Sequence, residues 1–115
     1  MNFSKLTWQE KTLWVVFGLY AILVAYGVTV HEPWRDEAQS YLMVRDNSLA
    51  ALFKGLPAEG HPPLWYLAIF PFVKMGLPYM VQNWISAALV IAGMYLLLFR
   101  SNAPWILKVL IPFNY

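Results

Sequence analysis

Residues 13–30, LWVVFGLYAILVAYGVTV, carry no charged side chain, and with Thr12 they make a run of nineteen uncharged residues between Lys11 and His31. As an α-helix rising about 1.5 Å per residue, such a run nearly spans the ~30 Å hydrocarbon core of a bilayer. Lys5 and Lys11 precede it, and Ala25-Tyr26-Gly27 is a small-residue triplet of the cleavage-site kind, so a signal peptide competes with a retained anchor. The apolar run exceeds the ~7–15 residues of a signal core, which favours the anchor.

Two further uncharged stretches follow, 62–73 and 75–99, with Lys74 alone between them. Gly76 and Pro78 punctuate this region as a turn and predict two helices, at 62–77 and 81–99. Pro71 lies inside the first of them and predicts a kinked, tilted or partly inserted segment. The apolar stretch 103–113, interrupted by Lys108 and Pro112, reads as the start of a fourth helix cut short. The expectation is thus an all-α integral membrane protein, a single unit over 1–115 with about three transmembrane helices (12–30, 62–77 and 81–99) and one polar insertion, 31–61.

Composition agrees. The chain is 60% hydrophobic and 12% charged, whereas soluble domains average about 45–50% and about 25%. A formal net charge of +2 leaves no footprint for nucleic acid. The absence of cysteine excludes a disulfide framework, a thiolate metal site and a Cys nucleophile.

The insertion 31–61 holds five of the six acidic residues, Glu32, Asp36, Glu37, Asp46 and Glu59, with Arg35, Arg45 and Lys54. Asp36 and Glu37 predict a helix start, because carboxylates are favoured beside the unpaired amides of a first turn, and the helix extends to about Val44. Arg45-Asp46-Asn47 breaks it. Ser48 caps a second short helix from Leu49 to Lys54, which Gly55 and Pro57 end. Tyr41, Leu42, Leu49, Leu52 and Phe53 would lay both helices along the membrane surface as an interfacial pair. Two basic residues in the first twelve, against three in the thirty-one of the insertion, favour an inside N-terminus and an outward insertion.

Asp36 and Glu37 have two readings: acids that merely charge a helix start, or carboxylates whose pKa is raised near a low-dielectric surface, able to take a proton or bind a divalent cation. His61, before Pro62-Pro63 at a membrane entry, is a hydrated interfacial histidine or a donor to a phosphate oxygen. Trp34, Trp65 and Tyr66 read as interfacial anchors in preference to sugar platforms.

Spacing adds to this. A first membrane helix, then Trp34-Arg35-Asp36-Glu37-Ala38 with Tyr41 four residues after Glu37, then His61-Pro62-Pro63-Leu64-Trp65-Tyr66 opening the next helix, resembles the amino-terminal part of the GT-C glycosyltransferases, in the branch of protein O-mannosyltransferases and aminoarabinose transferases. The resemblance implies an integral membrane enzyme that moves a sugar from a polyprenyl-phosphate donor to an acceptor on the outer face of the plasma (inner) membrane. It implies Asp36 as the catalytic aspartate or the ligand of a divalent cation, with Glu37 its acidic partner, and His61, Tyr41 and Trp34 as substrate-binding residues. His61 stands where many relatives have Lys. The match covers nearly all of this chain but about a quarter of a family member, so the expectation is a fragment inactive by itself. The alternative is a small non-enzymatic membrane subunit that packs against larger partners.

Overall fold

The computed structural model describes residues 6–59 and 63–114, the side chains of 56–59 excepted. The elements are helical throughout: α1 (Trp8–Val30), α2 (Arg35–Asp46), α3 (Leu49–Glu59), α4 (Pro63–Lys74), α5 (Met80–Arg100), α6 (Trp105–Leu110) and a closing 3-10 turn, Ile111–Phe113. Among the described residues there is no strand. α1 and α5 are each long and apolar enough to cross a membrane. The chain forms two compact units, residues 31–86 and residues 1–30 with 87–115.

In the unit built from both chain ends, α1 starts four residues before the charge-free run. Thr7 Oγ1 accepts from the Glu10 N–H at 3.3 Å, and the Glu10 carboxylate accepts from the Thr7 N–H at 2.8 Å. This reciprocal capping box begins a helix whatever the charge of its first turn. Leu13, Val16 and Leu98 are buried here, with Phe17, Met94, Phe99, Trp105 and Val109 packed around them. Trp14 lies 4.4 Å from Phe99 and Tyr95 5.1 Å from Phe99, centroid to centroid, within the range of favourable aromatic pairs. Lys108 Nζ donates to the Ser101 carbonyl at 2.9 Å, which places its charge at the end of α5, where unpaired carbonyls gather.

The 31–86 unit is organised around α4. Its Tyr66, Ile69 and Val73 are buried with Val44 of α2 and Leu52 of α3. Tyr66 is therefore core at 1% exposure, not the interfacial anchor expected, and Leu52 is equally buried. Leu42, Leu49 and Phe53 remain exposed, so only part of the expected surface-lying stripe stays outward. Ser48 caps α3 as expected, its Oγ accepting from the Ala51 N–H at 3.3 Å. α3 does not stop at Lys54 but continues to Glu59. A proline removes one i→i−4 bond, and that loss falls here on the final turn, where helix ends fray in any case.

α4 has twelve residues, a length of about 18 Å, short of the ~30 Å needed for a third full crossing. Pro71 lies within it without ending it. Its end comes at Gly76, which has φ +81°. There the Gly76 N–H donates to the Val73 carbonyl at 3.0 Å and the Leu77 N–H to that of Phe72 at 3.2 Å. This paired closure needs a left-handed residue, for which glycine carries no Cβ penalty.

Candidate functional site

Glu37 is the junction of the 31–86 unit. Its Oε2 accepts from His31 Nε2 at 2.9 Å, from the Trp34 backbone N–H at 3.3 Å and from Tyr79 Oη at 3.1 Å. His31 Nε2 also lies 3.1 Å from Oε1. Gln82 Nε2 donates to the Glu37 carbonyl at 3.0 Å, so the first turn of α5 holds the main chain of the residue whose side chain closes the start of α2. Beside it Tyr41 Oη donates to the Leu77 carbonyl at 2.9 Å and its ring meets Tyr79 edge-on at 5.7 Å. The 77–79 turn is thus tied to α2 by three contacts, two from Tyr41 and one from Glu37.

These bonds decide the charge of Glu37. Burial pushes its carboxyl up, but the bonds from His31, Trp34 and Tyr79 and the charge of His31 outweigh it and leave the pKa below its ordinary 4.5. This corrects the expectation of a raised carboxylate: Glu37 stays ionised. Tyr79 moves the other way, raised by burial and by the bond to the Glu37 anion. A lowered carboxylate contributes stability that is complete above its unfolded value and is lost as pH falls through the folded one. Unfolding of the detergent-solubilised chain is accordingly expected to ease as pH drops below about 4.5, and Glu37→Gln is expected to flatten that part of the profile. Parallel acid profiles for both proteins would contradict it.

Asp36 has the opposite situation. Its carbonyl accepts from Ser40 Oγ at 3.1 Å, but its carboxylate has no hydrogen-bond partner among the described residues. Asp36, Glu37 and Ser40 of α2 line an open cleft of about 400 Å³ with Trp65 of α4 and Gln82, Asn83 and Ser86 of α5. The described lining contains no Lys or Arg. One carboxylate is thus locked by three donors, and the adjacent one faces the cleft unengaged.

Among the other residues named from sequence, Tyr41 is committed to Leu77 and Tyr79 outside this lining, and Trp34 is 71% exposed. His61 lies outside the described residues. Trp65, expected as an anchor, forms part of the cleft wall. The sequence reading missed His31, Tyr79, Gln82, Asn83 and Ser86. The last three were legible as neutral polar residues at the start of an otherwise apolar helix, a signal that a search for charges passes over. Among the described residues no three His, Asp or Glu side chains converge, and Glu37 is already engaged by three donors. Comparison with protein-family models, curated proteins and solved structures finds no match.

Proposed function

We propose that the chain is the N-terminal part of a GT-C-like membrane glycosyltransferase that uses a polyprenyl-phosphate-linked sugar. The supporting observation is the divided acid pair: Glu37 held ionised by His31, Trp34 and Tyr79, and Asp36 unengaged beside it on an open cleft. In this reading α1 and α5 cross the plasma (inner) membrane, α4 inserts only in part, and residues 31–61 face outward. Asp36 takes the proton of an acceptor hydroxyl as the acceptor oxygen bonds to the anomeric carbon and the bond from that carbon to the lipid phosphate breaks. His61, by its sequence position before Pro62-Pro63, is the proposed donor to the leaving phosphate. Positioning and charge stabilisation supply most of the rate.

Topology supplies one prediction. Cysteines placed singly at Ser4 and Ser48 are expected to react with a membrane-impermeant maleimide from opposite sides of an intact membrane. Reaction of Ser48→Cys from the cytoplasmic side alone would remove the outward site.

Donor binding tests the function itself. A diazirine-bearing citronellyl-phosphoryl hexose is expected to crosslink to the chain in native membranes, with adducts within 31–86 and competition by the unlabelled compound. Absence of competable crosslinking would sink the donor reading and leave the non-enzymatic subunit.

A further inference from the structure

We infer that the start of α1, the close of α5 and α6 together form a docking surface for anionic lipid headgroups, seated on acidic phospholipid of the leaflet that faces the N-terminus. The inference goes beyond the glycosyl reading and rests only on its membrane part, the crossing of the bilayer by α1 and α5.

Ring contacts give the direction of the pair. Trp8 meets Trp105 at 5.6 Å, Trp14 meets Phe99 at 4.4 Å and Phe17 lies edge-on to Tyr95 at 5.9 Å. Positions rise along α1 as they descend from α6 into α5, so the two long helices are antiparallel and the start of α1 lies level with the end of α5. Glu10, Lys11, Arg100 and Lys108 are the only charged side chains of this unit among the described residues, and all four fall at this end. Two of them are committed. The Glu10 carboxylate accepts from the Thr7 N–H and hydroxyl, and Lys108 holds the Ser101 carbonyl. Lys11 and Arg100 are exposed, and their side chains have no hydrogen-bond or ionic partner among the described residues. Lys11 stands near the start of α1, where the helix dipole gives a cation no help, so the fold itself does not account for its charge.

α6 supplies the apolar half of the surface. Trp105 and Val109 pack against the Leu13, Val16 and Leu98 cluster, and Pro112 is buried. One position along at the same spacing, Ile106, Leu110 and Phe113 are exposed, as is Trp8. The six residues of α6 rise only about 9 Å and cannot cross a bilayer. An apolar stripe on a short helix at the end of two spanning helices, with free cations beside it, has the make-up of an interfacial anchor: the apolar groups enter the acyl boundary while Lys and Arg reach the headgroups. The Arg100 guanidinium matches a phosphate with two parallel N–H donors. Charge selects the occupant, because the two free cations gain from an acidic headgroup and not from a zwitterionic one.

The test uses the full chain in lipid nanodiscs, where the absence of cysteine lets a single bimane be attached through Asn102→Cys, between α5 and α6, or through Ser48→Cys in the acid-rich insertion. Quenching by doxyl-labelled phosphatidylglycerol, divided by quenching by doxyl-labelled phosphatidylcholine at the same mole fraction, reads the local enrichment of the anionic lipid. At Asn102→Cys the enrichment is expected to be about fivefold or more, the scale of one basic side chain at an acidic surface, and at Ser48→Cys near parity. Lys11→Gln combined with Arg100→Gln is expected to abolish it with helical circular dichroism unchanged, whereas Lys11→Arg combined with Arg100→Lys should keep it. Parity in the parent, or an enrichment that the double Gln variant retains, would overturn the inference. Labelling with an impermeant maleimide separates this failure from that of the membrane reading, since Ser4→Cys and Asn102→Cys are expected to react from the same side of an intact membrane. Reaction from opposite sides would remove the antiparallel crossing and the surface with it. Reaction from the same side without enrichment would leave the crossing standing and give the apolar stripe to a protein partner, against the lipid.

Discussion

Asp36→Asn is expected to lower sugar transfer by on the order of 10²-fold or more, measured from a polyprenyl-phosphate donor in a transfer-competent protein that contains this segment. The substitution keeps the shape and one oxygen acceptor and removes the negative charge that a base requires. Folding should change little. The Asp36 carboxylate has no hydrogen-bond partner to lose among the described residues, its carbonyl keeps the bond from Ser40, and loss of a first-turn charge costs about 0.3–1 kcal/mol. Donor affinity should also hold, so the loss is expected in kcat. Glu37→Gln should divide differently. Its carboxylate organises His31, Trp34 and Tyr79, and a side-chain amide cannot accept from all three with the same strength, so the expected loss is in stability and positioning, with a smaller effect on turnover. Near-normal transfer by Asp36→Asn at normal membrane abundance would reduce Asp36 to a helix-start acid.

The second large effect is on stability. Tyr66→Ala is expected to destabilise the 31–86 unit by about 3–5 kcal/mol, the range for removing a large buried ring and leaving a cavity. Tyr66 is 1% exposed and belongs to the cluster that joins Val44 of α2, Leu52 of α3 and Ile69 and Val73 of α4. Deleting its ring withdraws contacts from three helices at once, and close-packed surroundings relax only in part. Tyr66→Phe is the control. It loses only the 4.0 Å contact of Oη with the Met43 sulfur, a weak acceptor, and is expected to stay within about 1 kcal/mol of the parent. Amide hydrogen exchange along 35–74 in detergent reads both, with faster exchange throughout that span for Tyr66→Ala. Protection equal to the parent would mean that Tyr66 does not join these helices.

Local features were legible from the sequence because their causes lie within a few residues of one another. The charge-free run at 13–30 and the one that ends at 99 mark the two long helices, the acids at 36 and 37 mark the start of α2, and Ser48 marks the start of α3 through its bond three residues on. The Gly76 and Pro78 turn was placed for the same reason, a left-handed residue being needed where α4 ends. What misled was the use of charge as a boundary. α1 begins at Trp8 because Thr7 and Glu10 cap it, the Glu10 charge being itself favourable in a first turn, and α4 is shorter than its hydropathy suggested.

The site depended on contacts distant in sequence. Glu37 meets His31 six residues away, Tyr79 forty-two away and, through its carbonyl, Gln82 forty-five away, and the bonds from His31 and Tyr79, with that of the nearby Trp34 N–H, reverse the direction in which burial alone would move its pKa. Apolar composition likewise did not say which aromatic of Trp65-Tyr66 would be core and which would wall a cleft. Adjacent helical positions point about 100° apart, and only the packing of α4 against α2 and α3 chose Tyr66 for the interior. Helix type and caps were thus determined by the sequence itself, through interactions between near neighbours. The cleft and the locked state of Glu37 were decided by tertiary structure, which alone brings α2, α4 and the start of α5 within hydrogen-bonding distance.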